Sequence, residues 1–160
     1  MMIDLAKKFK EENIYFELYN HRAIYTNEDA LVIKAEQGFN GTETKSLFLK
    51  NKAGDNFVYL TFTTKATDFK KIKKIVGQKL SVVKPEDMEA KTGQKPGAVS
   101  PFGYKEHVPV IVDAELLQHE KLVFAPGRPD QTMVVLVKEL PKIIDVLNIE
   151  TYDCPVEDIE

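Results

Sequence analysis

The chain of 160 residues carries 22 Lys and Arg against 25 Asp and Glu, a formal net charge of −3, with a single cysteine at position 154. Such a length fits one domain that buries roughly 70% of the surface its unfolded form exposes, so no disulfide staple is needed, and one cysteine builds neither an intrachain bridge nor a zinc cluster. The acidic balance argues against a strongly basic nucleic-acid binder and so against DNA as partner; with no apolar run of membrane length and no signal-like start, a cytoplasmic, membrane-free protein is expected.

In chain order, residues 2–12 read as an amphipathic helix with Ile3, Leu5, Ala6 and Phe9 inward, followed by an extended segment over 14–19. Thr26 is placed to cap a helix over 27–36, with Asp29 three residues on as a weak capping-box partner. The clearest strands are 44–50 and 57–63, joined by a hairpin loop over 51–56. Alternation along the first strand puts Lys45 on the side of Leu47 and Leu49. A lysine at that edge of a core either snorkels to solvent or points into a polar pocket where it binds a carbonyl or phosphate; position leaves both open.

The next helix ends at Gly77 and carries Phe69, Ile72, Ile75 and Val76 on one face, with Lys70, Lys71, Lys73 and Lys74 around the other. That lysine face is either plain solvated surface or a phosphate-binding one. A short strand near 80–83 and a small helix begun by Pro85 lead into Thr92-Gly93-Gln94-Lys95-Pro96-Gly97-Ala98-Val99-Ser100-Pro101-Phe102-Gly103, too rich in Gly and Pro for a helix or strand. Pro96 and Pro101 lack an amide hydrogen, which leaves Gly97, Ala98, Val99, Ser100, Phe102 and Gly103 as N–H donors for an oxyanion, unless the loop is only a tight structural turn.

Strands at 108–112, 121–125 and 132–137, a short helix at 114–118 and a last one at 141–147 complete the pattern. Residues 149–160 form an acidic tail with Glu150, Asp153, Glu157, Asp158 and Glu160 and no Lys or Arg. Taking those five from the 25 acids leaves 20 against 22 basic residues, so residues 1–148 carry +2. Short strands interleaved with short helices, without regular βαβ alternation, predict one α+β domain over 1–160, its mixed, curved, barrel-like sheet surrounded by short helices. No serine–histidine–acid set, Cys/His cluster or carboxylate-ligand motif is recognisable, so neither metal nor cofactor is expected, and His107 and His119 are given no role.

Gly41-Thr42-Glu43-Thr44-Lys45-Ser46-Leu47-Phe48-Leu49-Lys50, together with Pro96-Gly97-Ala98-Val99-Ser100-Pro101-Phe102-Gly103, resembles the YbaK/prolyl-tRNA editing family. That family includes freestanding ProX-type deacylases and the editing domain inserted in bacterial prolyl-tRNA synthetases. The resemblance extends to Tyr19-Asn20-His21-Arg22-Ala23-Ile24-Tyr25-Thr26 and Gly127-Arg128-Pro129-Asp130-Gln131-Thr132, so it spans nearly the whole domain. It implies a YbaK-like fold and hydrolysis of the ester joining a wrong amino acid, most often alanine, to tRNA(Pro), with aminoacyl-tRNA as the partner.

Under this resemblance Lys45 matches the lysine most associated with activity, and the loop over 97–101 the segment that holds the substrate's carbonyl region. Lys45 and the amides of Gly97, Ala98, Val99 and Ser100 would stabilise the oxyanion formed when water, assisted by the substrate's ribose hydroxyl, attacks the ester. Ser46, Leu47, Pro101, Phe102, Gly103, His21, Asp130 and Thr132 are expected at the substrate, with Phe48 and Ala98 as further packing residues; Lys70, Lys73, Lys74 and Lys95 are expected at tRNA phosphates. An editing pocket small enough for alanine rejects proline by overlap, where a proline pocket discriminates by only about 1–3 kcal/mol per missing methylene.

Two departures bear on the substrate. Close alanine-specific relatives generally have Asn where this chain has Ser46, and the turn over 127–130 differs from the expected Asn/Thr-rich one, so alanine, serine, cysteine or another small amino acid stays open. His21, closing a strand before a helix cap, also fits a structural role. The alternative reading is a non-catalytic protein that binds an amino acid or aminoacyl-tRNA in the same pocket. Recognition of the tRNA rests either with this chain or with a partner such as prolyl-tRNA synthetase or an elongation factor.

Overall fold

Residues 2–156 are described by the computed structural model, and their elements follow the predicted order. Helix α1 (Leu5–Glu11) begins where the Asp4 carboxylate accepts from the Lys7 amide, and it buries Leu5 and Phe9. It starts later than the sequence pattern suggests, because Met2 bridges Tyr104 in extended form. Strand β1 (Phe16–Asn20) leads to α2 (Asn27–Gln37), where Thr26 Oγ1 accepts from the Asp29 amide at 3.0 Å as an N-cap should. The hairpin of β2 (Thr42–Lys50) and β3 (Asn56–Phe62) precedes α3 (Phe69–Val76), β4 (Ser81–Val82) and α4 (Pro85–Thr92). Then come β5 (Val110–Asp113), β6 (Lys121–Phe124), β7 (Gln131–Leu136), α5 (Leu140–Val146) and β8 (Thr151–Cys154), with 3₁₀ turns at Ala114–Gln118 and Val137–Glu139.

Strand β8 lies in the segment that composition marks as acidic tail. It pairs in parallel with β5, and its Cys154 is buried beside Ile111 and Tyr59. Acidic residues hide this strand because Asp153 faces away from the core while Cys154 faces into it.

Among the described residues eight strands make one mixed sheet along the path β1-β7-β6-β2-β3-β5-β8, with β4 added to β2, so the α+β expectation is met. Cross-strand register sorts the side chains onto two faces. On one, Leu60, Val112, Leu122, Phe124 and Met133 pack under Leu5 and Phe9 of α1 and Ile143 of α5, while Phe48 and Val58 pack with Met88 of α4. On the other, Val123 and Val134 meet Ile33 of α2, and Leu49, Tyr59 and Ile111 meet Ile72 of α3. Gly41 joins the two halves at the start of β2: its φ is +143°, and a Cβ there would lie 2.7 Å from Val123 Cγ2.

One edge of β2 is incompletely paired. Strand β6 meets it at Thr42 and Glu43, and β4 meets it at Leu49 and Lys50. The Thr63 amide donates to the Glu43 carbonyl and the Val83 amide to the Phe48 carbonyl, which fixes the alternation of the ladder. The N–H and C=O of Ser46 therefore point away from β3, into a gap with no strand opposite.

Candidate active site

Lys45 lies on the α2/α3 face, between Glu43, which meets Lys34 of α2, and Leu47, which packs with the α3 cluster. Its half-buried side chain makes no hydrogen bond or ion pair among the described residues, so the ammonium is available to a ligand. Directly opposite on β3 stands Thr61, fully buried, whose Oγ1 donates to Asp113 Oδ2 at 2.7 Å. Lys65 Nζ donates to the same oxygen at 2.8 Å and to Glu115 Oε2 at 3.0 Å, and the Glu115 amide reaches Asp113 Oδ1 at 3.1 Å. Asp113 is 1% exposed. Burial would push its carboxyl up, but hydrogen bonds from Lys65, Thr61 and the Glu115 amide outweigh that and hold it below the usual carboxylate range. Burial would pull Lys65 down; its bonds to Asp113 and Glu115 raise it instead.

The same face carries Thr132, paired with Tyr19 on β1, and His21 just past that strand. His21 Nδ1 stands 2.6 Å from the Arg22 carbonyl oxygen and Nε2 stands 2.8 Å from Thr132 Oγ1. A carbonyl only accepts, so Nδ1 carries the hydrogen and in the neutral ring Nε2 accepts from the threonine hydroxyl. The His21 amide donates to the Asp130 carbonyl at 3.0 Å, tying the 127–130 turn to the end of β1. Asp130's own carboxylate is gripped at two points by Arg128, at 2.9 and 2.8 Å, which keeps its carboxyl below the usual range.

The glycine loop is organised by a residue the sequence reading passed over. Gln94, 1% exposed, accepts the Ser100 amide on Oε1 at 2.8 Å and donates through Nε2 to Tyr104 Oη at 3.0 Å. Tyr104 Oη donates in turn to the Ser100 carbonyl at 2.7 Å, and Ser100 Oγ donates to the Phe102 carbonyl at 2.8 Å. These bonds correct the predicted donor set. The Ser100 amide is taken by Gln94, the Phe102 amide by Ser100 Oγ, and the Ala98 amide by the Lys95 carbonyl. Gly103 is buried against Leu5 of α1, so Gly97 and Val99 remain as amide donors.

Pro101, Phe102 and Gly103 form the loop's buried root; Phe102 meets Phe124 edge to face at 5.7 Å, so its role is support. Val99 and Tyr104 pack against Phe48 and Val58, on the sheet face opposite Lys45. No strand pairs with β2 at Ser46, whose Oγ is closed to solvent with no hydrogen-bond partner among the described residues. Gly127, at the exit of β6, ties the loop to this end of the sheet: its φ is +100°, and a Cβ would lie 3.1 Å from Gln94 Oε1. Lys45, His21 and Thr132 thus share one face, while the loop is anchored on the other.

Farther out, Lys70, Lys73 and Lys74 of α3 are exposed, and Lys95 is paired with Glu89 at 3.2 Å. A cleft of about 470 Å³ at the hairpin end, lined by Phe48, Lys91, His107 and Glu150 among others, includes Phe48 but none of the other predicted site residues. Among the described residues no group of three or more His, Cys, Asp or Glu is arranged to hold a metal, and no helix is long and apolar enough to cross a membrane.

Comparison with known proteins gives a match to the aminoacyl-tRNA editing domain over residues 21–143. Among solved structures, hypothetical protein APE2540 superposes with a TM-score of 0.76 at 18% identity, covering 93% of this chain and 97% of its own. A proposed trans-editing enzyme for prolyl-tRNA synthetase gives 0.73 at 21% identity, covering 96% of this chain and 92% of its own. A proposed signal transduction protein from Marinobacter aquaeolei VT8 gives 0.62 at 13% identity, covering 95% of this chain but 30% of its own. At these identities the structures share a fold.

Proposed function

Because the chain belongs to the aminoacyl-tRNA editing domain family, we propose that it is a deacylase acting in trans in the cytoplasm, one that hydrolyses the ester of tRNA(Pro) mischarged with alanine or another small amino acid. The observation that carries this reading is the Lys45 ammonium, without a partner among the described residues, beside the unpaired edge of β2, on the face that also presents His21 and Thr132. Near-complete mutual coverage with a proposed prolyl-tRNA trans-editing enzyme supports it.

Attack of water on an ester carbonyl produces an oxyanion, and a cation plus amide donors lower that barrier. In this proposal Lys45 supplies the cation, and the Gly97 and Val99 amides reach the same carbonyl across the gap at Ser46. In this proposal the attacking group is water aided by the substrate's ribose hydroxyl, and the Thr132 hydroxyl, which donates to His21 Nε2, lines the site. The test is a deacylation panel with alanyl-, seryl-, cysteinyl- and prolyl-tRNA(Pro). Release of a small amino acid with prolyl-tRNA left intact is expected; no turnover of any ester at excess protein overturns the proposal, and saturable binding without turnover would assign a carrier instead.

Phosphate contact is assigned to the exposed lysines of α3 and to Lys95. Reversing the charge of Lys70, Lys73 and Lys74 together should weaken tRNA binding and flatten its salt dependence by about 2–3 in log–log slope, each lost phosphate contact contributing about 0.7–0.9. Unchanged affinity and slope would place the tRNA elsewhere.

A further inference from the structure

An aminoacyl ester carries a positive charge of its own, the α-ammonium on the carbon next to the scissile carbonyl, and Lys45 alone would repel it. We propose that Glu43 binds this α-ammonium, at the position Lys34 occupies in the free protein, so that the site selects aminoacyl esters over esters lacking an amine. The inference rests on the deacylase reading above.

Three observations carry it. Glu43 and Lys45 are two residues apart on β2 and share a face, so their Cα atoms lie roughly 6–7 Å apart, and their side chains bracket a group the size of a small amino acid. Glu43 Oε1 is closed to solvent and has no hydrogen-bond donor among the described residues, a costly state for an anionic oxygen. Lys34 Nζ stands 3.4 Å from that oxygen, near enough to balance charge but not aligned to donate; it donates to the Gly41 carbonyl instead. An incoming ammonium, with three N–H groups, supplies the missing donor, and Lys34, at the half-exposed edge of α2, turns to solvent. Burial outweighs the pull of Lys34 and holds the Glu43 carboxyl above the usual carboxylate range, so a further cation at Oε1 would favour its charged form.

Alanyl-tRNA(Pro) and propionyl-tRNA(Pro) differ only in the amine, and kcat/KM for each reads the contact directly. The wild-type protein is expected to favour the alanyl ester by about ten- to hundredfold, as a charge-assisted hydrogen bond allows. Glu43→Gln should lose most of that preference by slowing the alanyl ester alone. Lys34→Ala, which removes the competing ammonium, should lower KM for the alanyl ester, and this arm decides the matter where Glu43→Gln does not fold. Wild-type turnover of both esters at equal kcat/KM, an alanyl preference that survives Glu43→Gln, or a KM unchanged in Lys34→Ala overturns the Glu43 assignment and leaves the deacylase reading standing. Turnover of neither ester by the wild type overturns both.

Discussion

Replacing Lys45 by alanine is expected to lower kcat for aminoacyl-tRNA hydrolysis by about a hundred- to thousandfold, the effect of removing one preorganised oxyanion donor. The fold should scarcely notice. Lys45 makes no hydrogen bond or ion pair among the described residues, and its half-buried stem lies beside Leu47 at the rim of the α3 cluster, so the change in stability should stay below about 1 kcal/mol. The loss should fall on kcat more than on KM, because the charge it answers develops only as the carbonyl is attacked. Lys45→Arg keeps the charge but spreads it over a planar fork of different reach, and an intermediate rate is expected. Single-turnover deacylation measured beside thermal unfolding checks all of this. A Lys45→Ala protein with wild-type rate would show that the lysine merely snorkels, which the strand pattern allowed.

The elements that local chemistry determines were readable from the chain. Thr26 caps α2 because a threonine hydroxyl three residues before an amide closes the first turn, whatever the rest of the protein does. Period-two alternation correctly put Lys45 on the face of Leu47 and Leu49. That alternation carries no information about which neighbours arrive on each edge, so the gap beside Ser46 and the anchoring of the glycine loop on the opposite face emerge only from the pairing of β6 and β4 with β2. Ser100 resembled a free amide donor because nothing local announces that Gln94, six residues earlier, folds back onto it. Asp113 was hidden in a similar way: as an aspartate ahead of a short helix it reads as a cap, and its second set of partners lies some fifty residues away in sequence.

Those distant partners make the loss of Asp113 costly to the fold. Asp113→Asn leaves one oxygen, either for Thr61 and Lys65 or for the Glu115 amide, so an NH₂ faces a donor on the other side, and in both flips the charge that balances Lys65 is removed. Breaking a fully buried pair costs about 3–5 kcal/mol. Here the Lys65 side chain is 39% exposed and water recovers part of that, so about 2–3 kcal/mol is expected, a fall in Tm of roughly 5–10 °C for a chain of this size. The pH dependence separates this from simple misfit. The folded pKa of Asp113 is below its unfolded value of 3.8, so the unfolded chain binds the proton more readily and the stabilisation is present above about pH 4, then lost as pH falls through the folded pKa. Lys65 is shifted the other way, and its contribution is complete below 10.5, lost only as pH rises through its elevated folded value. Between pH 5 and 9 the difference in Tm between wild type and Asp113→Asn should therefore be constant, and it should narrow below pH 4. A difference under 2 °C at neutral pH, or one that persists undiminished in acid, would mean that the buried carboxylate contributes by shape and not by charge.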